Sequence, residues 1–142
     1  MLIPHVVNSE AEKVFVNFLN VQAVTVSAGD VIAWDSSTAD GVRATQPVTA
    51  TLSLFLGIVD GDTAASAYGL AQTYGYRNGA LITNDTSVSV LAGDILIPVT
   101  ATDRLARSAA SDGKTGFVYA GEIYATNTTP VAAVKKVFIR AL

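Results

Sequence analysis

One ten-residue phrase occurs twice in this chain. Val24-Thr25-Val26-Ser27-Ala28-Gly29-Asp30-Val31-Ile32-Ala33 returns 64 residues later as Val88-Ser89-Val90-Leu91-Ala92-Gly93-Asp94-Ile95-Leu96-Ile97. Each copy alternates apolar and polar residues, turns at Ala-Gly-Asp and continues as an apolar run. This is the pattern of a half-buried strand, a tight turn and a more deeply buried strand. Glycine supplies the positive φ of the reversal, and aspartate can accept from nearby backbone N–H groups. The phrase is architectural and carries no chemistry of its own.

The offset holds beyond the phrase. Leu54-Phe55-Leu56-Gly57-Ile58-Val59 falls opposite Val118-Tyr119-Ala120-Gly121-Glu122-Ile123, and Arg43 opposite Arg107. Gly69-Leu70-Ala71-Gln72-Thr73-Tyr74 falls opposite Ala133-Val134-Lys135-Lys136-Val137-Phe138. Residues 24–78 and 88–142 therefore read as two pseudo-repeated β-units within a single domain of residues 1–142. A further strand, Lys13-Val14-Phe15-Val16-Asn17-Phe18-Leu19, precedes them. Between strands the punctuation is polar: residues 35–41, residues 111–116 and Asn127-Thr128-Thr129-Pro130 read as loops. Asn78-Gly79, flanked by apolar runs, predicts a two-residue hairpin turn. Residues 48–59 predict extended chain, and the alanine-rich stretches 63–67 and 103–110 are short helix candidates. No long 3.6-residue periodicity occurs, so the fold class is mainly β, a small barrel or sandwich.

Residues 1–10 form an apolar N-terminal arm in which Pro4 opposes regular strand pairing. Met1, Leu2, Ile3, Pro4, His5, Val6 and Val7 would be costly to leave in water, so they are the candidate partner-binding residues, on a neighbouring subunit or another protein; the alternative is a disordered terminus. The start lacks the basic residues and long apolar run of a signal peptide, and no stretch approaches the roughly 20 apolar residues of a membrane span. Synthesis in the cytoplasm is the expectation.

Composition narrows the function. Half of the 142 residues are apolar and only 15% are charged, an excess that points to self-association or docking. The net charge of -3 disfavours a nucleic-acid partner, which needs a basic face. Without cysteine there is no thiolate nucleophile and no cysteine-ligated metal. The single histidine, His5, lies on the arm and makes a poor member of a catalytic triad. Asp112-Gly113-Lys114-Thr115 ends like a phosphate-binding loop, but the position of that motif's first glycine holds Ser108. Asp60-Gly61-Asp62 and the Asp35–Asp40–Gly41 loop lack the alternation and final glutamate of a calcium loop. Asp30 and Asp94 make a conceivable acid–base pair, which their shared turn context explains equally well. Asn84-Asp85-Thr86 and Asn127-Thr128-Thr129 match a glycosylation sequon and read as turns. No catalytic residue, cofactor or metal is expected. Tyr68, Tyr74 and Tyr76 admit an alternative, a carbohydrate-binding β-sandwich module of a phage tail or surface protein, in which exposed rings stack on sugar.

The two Ala-Gly-Asp phrases, the Gly-Ile-Val and Gly-Glu-Ile strands that follow them, and Tyr74-Gly75-Tyr76 together resemble the small head decoration, or capsid cement, proteins of tailed bacteriophages. The resemblance runs from about Val21 to the C-terminus. It implies a compact, non-enzymatic β-fold, commonly a homotrimer, that binds the outer surface of the capsid and reinforces it by bridging major capsid protein subunits. It also implies an N-terminal arm on the shell or a neighbour, the place that residues 1–10 would take. The expected partners are then the major capsid protein and other copies of the chain, with no nucleic acid or membrane. The expected location is the virion surface.

Overall fold

The computed structural model describes residues 12–38, 40–84, 88–108, 116–125 and 132–141. It is mainly β, as the sequence predicts. The strands are β1 (Val14–Asn20), β2 (Val31–Trp34), β3 (Arg43–Thr45), β4 (Phe55–Val59), β5 (Tyr68–Thr83), β6 (Ile95–Pro98), β7 (Leu105–Arg107), β8 (Val118–Ala120) and β9 (Ala132–Arg140). All belong to one sheet, ordered β1-β3-β2-β4-β5-β7-β6-β8-β9, with β1–β5 and β5–β9 also paired.

Those pairings close two circuits. β1, β3, β2, β4 and the first part of β5 form one ring, and the second part of β5 with β7, β6, β8 and β9 forms the other. In each ring the first strand meets the third in parallel and all other pairs are antiparallel. The repeat of pairing thus begins one strand earlier than the repeat of sequence, at β1 and again within β5. We call residues 14–76 the first unit and 77–140 the second. An isolated bridge recurs as well, Val26 with Thr63 and Val90 with Tyr124. A sheet closed on itself leaves few unpaired edges to recruit other chains.

Each ring has its own core. Phe18, Val26, Ile32, Ala44, Leu56, Val59 and Ala71 fill the first; Ile82, Val90, Leu96, Leu105, Val118, Val137 and Ile139 fill the second. Val31, Phe55 and Ile58 belong to the first unit by sequence yet pack into the second core, where Phe55 stacks on Phe117 at 6.1 Å.

Four local expectations are corrected, the fourth being extended chain over the first part of residues 48–59. Asn78-Gly79 is no hairpin turn: β5 runs straight through it, and three steps from Arg77 to Ala80 face two from Val137 to Lys135 of β9, a β-bulge with one extra residue. The dipeptide's tolerance of unusual backbone is spent on the bulge, because Ala80 and Ile82 beyond it must re-enter the core. Residues 63–67 are not helical, since Thr63 is bridged to Val26 and Ser66 has φ +58°. Within 103–110, Leu105–Arg107 is a strand and 109–110 lie outside the described residues. The helical turn falls instead at Thr49–Leu54, a 3-10 helix whose Thr51 hydroxyl accepts from the Val48 N–H at 3.0 Å.

The bulge is clasped by Arg77. Its Nε donates to the Gly79 carbonyl (2.7 Å), one terminal nitrogen to the Val59 carbonyl (2.6 Å) and the other to Asp60 Oδ1 (2.9 Å). Beneath it, buried Gln72 donates to the carbonyls of Tyr74 and Tyr76. Only 10% of the Arg77 side chain is exposed, so its loss strands several acceptors away from water. Arg77→Met should cost about 3 kcal/mol of stability in denaturant unfolding, whereas Lys136→Met, on the exposed face of β9, should change it by less than about 0.5 kcal/mol.

Candidate interaction surface

The structure accounts for most of the polar residues singled out above as parts of turns. Asp30 Oδ2 accepts from the Ser27 N–H at 2.7 Å, and Asp94 Oδ2 accepts from the Leu91 N–H at 2.8 Å. Each closes its own Ala-Gly-Asp turn, and Asp94 also pairs with Arg107 at 2.7 Å. Asp60 is held by Arg77, and Asp62 accepts from the Ala28 N–H. Asp35 accepts from the Ser37 N–H, and Asp40 from Val42 and Arg43. Among the described residues there is no group of three carboxylate or imidazole side chains placed to hold a metal. Asn84 is buried, with its amide donating to the Ala125 carbonyl at 2.9 Å. The arm residues 1–7, His5 among them, residues 112–115 and Asn127 lie outside the described residues.

A feature that the motif reading passed over is Asn20. It is fully buried, and its Nδ2 donates to the carbonyls of Val24, Thr63 and Ala64. Asn84 stands 64 residues on, so the offset found in the Ala-Gly-Asp phrases would have located the pair.

The three tyrosines do not form one platform. Tyr68 is 70% exposed at the start of β5, while Tyr74, six residues or about 20 Å further along an extended strand, is half-buried and meets Phe138 edge-on at 5.6 Å. The outside of the sheet instead carries scattered apolar side chains. Phe15, Tyr68, Leu70, Val134 and Phe138 are all exposed on β1, β5 and β9, and Leu91 and Ile123 on the loops of the second unit. No helix among the described residues is long and apolar enough to cross a membrane.

Where the two units meet, charge is crowded. Burial raises the Asp30 and Asp103 carboxyls above the ordinary aspartate range; Asp62 adds to the rise at Asp30 and Asp30 to that at Asp103, while Arg104 offsets part of both. Asp35, by contrast, is lowered by its hydrogen bonds from Ser37.

No protein-family model matches the chain, and no curated protein is significantly similar to it. The surface must be read from its own geometry.

The raised carboxyls have a consequence for stability. The folded state binds these protons more tightly than the unfolded chain, so the penalty is full at neutral pH and fades as pH falls through the raised values toward the unfolded value of about 3.9. Asp103→Asn should therefore melt higher than the parent at pH 7, with the difference shrinking toward zero near pH 4. Calorimetry across that range checks it.

Proposed function

We propose that this chain is a structural protein of a phage particle, a decoration protein that binds the outer surface of the capsid as a homotrimer and reinforces the shell by bridging major capsid protein subunits. The observation that carries the reading is the contrast between the sheet's backbone and its outer side chains. The rings satisfy their strand edges internally, so uncontrolled edge-to-edge pairing is suppressed. The same strands hold Tyr68, Leu70 and Val134 out into solvent, at 70%, 46% and 63% exposure. Adhesion through side chains on a rigid, closed scaffold is what clamping a shell requires: many modest contacts that exclude water, with little backbone to order on docking.

The composition agrees, since low charge and abundant small apolar residues suit a protein that spends its working life against other proteins. The arm, residues 1–10, adds apolar area to the same task. In this reading the polar turns serve the fold and no bond is made or broken.

Co-sedimentation with expanded heads stripped of decoration tests the reading. The full chain should pellet with heads. The double variant Tyr68→Asp/Leu70→Asp and a chain lacking residues 1–10 should each bind at least about tenfold more weakly, the loss of one good apolar anchor. A full chain that stays in the supernatant at every concentration overturns the proposal.

A further inference from the structure

The Asn-Gly dipeptide has a chemistry of its own besides its tolerance of unusual backbone. An asparagine side-chain amide is open to attack by the main-chain nitrogen of the next residue, and glycine, with no Cβ, obstructs that approach least. A regular ladder holds the main chain extended and its amides bonded. The bulge in β5 interrupts that hold. Arg77 pairs with Val137 and Ala80 with Lys135, whereas Asn78 and Gly79 have no partner in the register. Lys136, the β9 residue between those partners, turns its main chain the other way. Its N–H donates to Glu122 Oε1 at 2.8 Å, and its carbonyl accepts from the Gly121 N–H at 2.8 Å. A Cβ on Gly79 would meet only Val134 Cγ1, at 3.5 Å, so the chain is uncrowded there.

The other described asparagines are placed differently. Asn20 and Asn84 are 0% and 2% exposed. Their side-chain amides are held, Asn20 by the carbonyls of Val24, Thr63 and Ala64 and Asn84 by that of Ala125. Asn17 is exposed, but it pairs with Leu70 in the β1–β5 ladder and is followed by the bulky, fully buried Phe18. Among the described asparagines, Asn78 alone combines an exposed side chain, a glycine successor and a place outside the ladder.

We propose that Asn78 is a site of spontaneous covalent modification, in which its side chain cyclises onto Gly79 and reopens as an acid, and that the product loosens the joint between the two rings. The Gly79 nitrogen attacks the Asn78 side-chain carbonyl carbon. The bond from that carbon to the amide nitrogen breaks, and ammonia leaves with the Gly79 proton. Water then hydrolyses the five-membered imide at either of its two carbonyls. One opening gives aspartate; the other gives isoaspartate, in which the main chain runs through the side-chain carbons. Both products place a carboxylate one residue from Arg77, whose guanidinium already holds Asp60. Isoaspartate also inserts one carbon between residues 78 and 79, which displaces the Gly79 carbonyl that Arg77 Nε grips at 2.7 Å. The same carbonyl oxygen lies 3.4 Å from the place a Cβ of Gly29 would take, and the Gly29 carbonyl accepts from the Leu81 N–H at 3.0 Å. The first unit's turn therefore rests on the segment that the reaction lengthens.

The test needs only the full-length chain, kept folded in mildly alkaline buffer, which favours loss of the Gly79 amide proton, and sampled over weeks. The tryptic peptide from Asn78 to Arg104 carries Asn78 and Asn84 together, so fragmentation reads the amide-to-acid mass gain at both from one spectrum. An isoaspartyl methyltransferase reports the rearranged product. Asn78 should convert, and Asn20 and Asn84 should convert at least about tenfold more slowly, because they wait for local opening. Asn78→Gln, whose longer side chain would have to close a six-membered ring, should accept no methyl group at this position. Converted chain, separated by ion exchange, should unfold at a lower denaturant concentration than unconverted chain. Asn78→Asp, which adds the charge without the extra carbon, should shift the midpoint less. An Asn78 that stays intact in the folded chain while converting in denaturant is protected by the bulge, and that overturns the proposal. Equal rates at Asn78 and Asn84 overturn it as well. A midpoint unmoved by conversion, or moved as far by Asn78→Asp, overturns the effect assigned to the lengthened chain.

Discussion

Strand β5 is the member on which everything else depends. Its first half closes one ring and its second half closes the other, so neither barrel exists without it. The sixteen residues of this strand are continuous but not regular: the bulge at Arg77–Ala80 inserts one extra residue against β9, an irregularity of the kind that bends a strand. Arg77 then fixes that bend with charge-assisted hydrogen bonds to Gly79, Val59 and Asp60. A second irregularity sits at Gly75, φ +98°, where the Glu12 carbonyl lies against the position a Cβ would occupy. Only glycine meets both demands there.

Much of this was legible before any coordinates. The Ala-Gly-Asp phrases announced strand–turn–strand twice, and the alternation around them announced a mainly β fold. The bend in β5 was not legible, because Asn78-Gly79 is equally good chemistry for a hairpin turn and for a bulge. What decides between them is non-local: β9 pairs with residues on both sides of the dipeptide, and that partner lies more than fifty residues away in sequence. The 3-10 turn at Thr49–Leu54 was hidden for a similar reason. Its threonines favour extended chain, and contacts such as that of Thr49 with Thr100 at 3.0 Å come from the other unit.

The candidate surface was the least readable part. A single sequence marks which residues are apolar but not which of them a closed sheet turns outward. Val31 and Ile95 occupy the same place in the repeated phrase, yet one is sealed and the other only half-covered. The difference is one of surroundings: the second unit packs over Val31, whereas Ile95 is only partly covered by the described residues. The carboxyls were easier to read. The sequence reads them as turn residues, and in three dimensions Asp30, Asp94, Asp60 and Asp62 are occupied in holding turns and the clasp.

Rigidity and adhesion are then two sides of one arrangement. Welding two rings through a shared strand commits the backbone to internal pairing and, in the proposed function, leaves side chains as the means of contact with the shell. Native-state amide exchange along β5 examines that weld most directly. If the strand joins the rings into one cooperative body, the buried amides of residues 71–73 and 80–82 should open at a single free energy equal to that of global unfolding. Two distinct values, separated at Arg77, would mean that the rings unfold independently and would contradict the account.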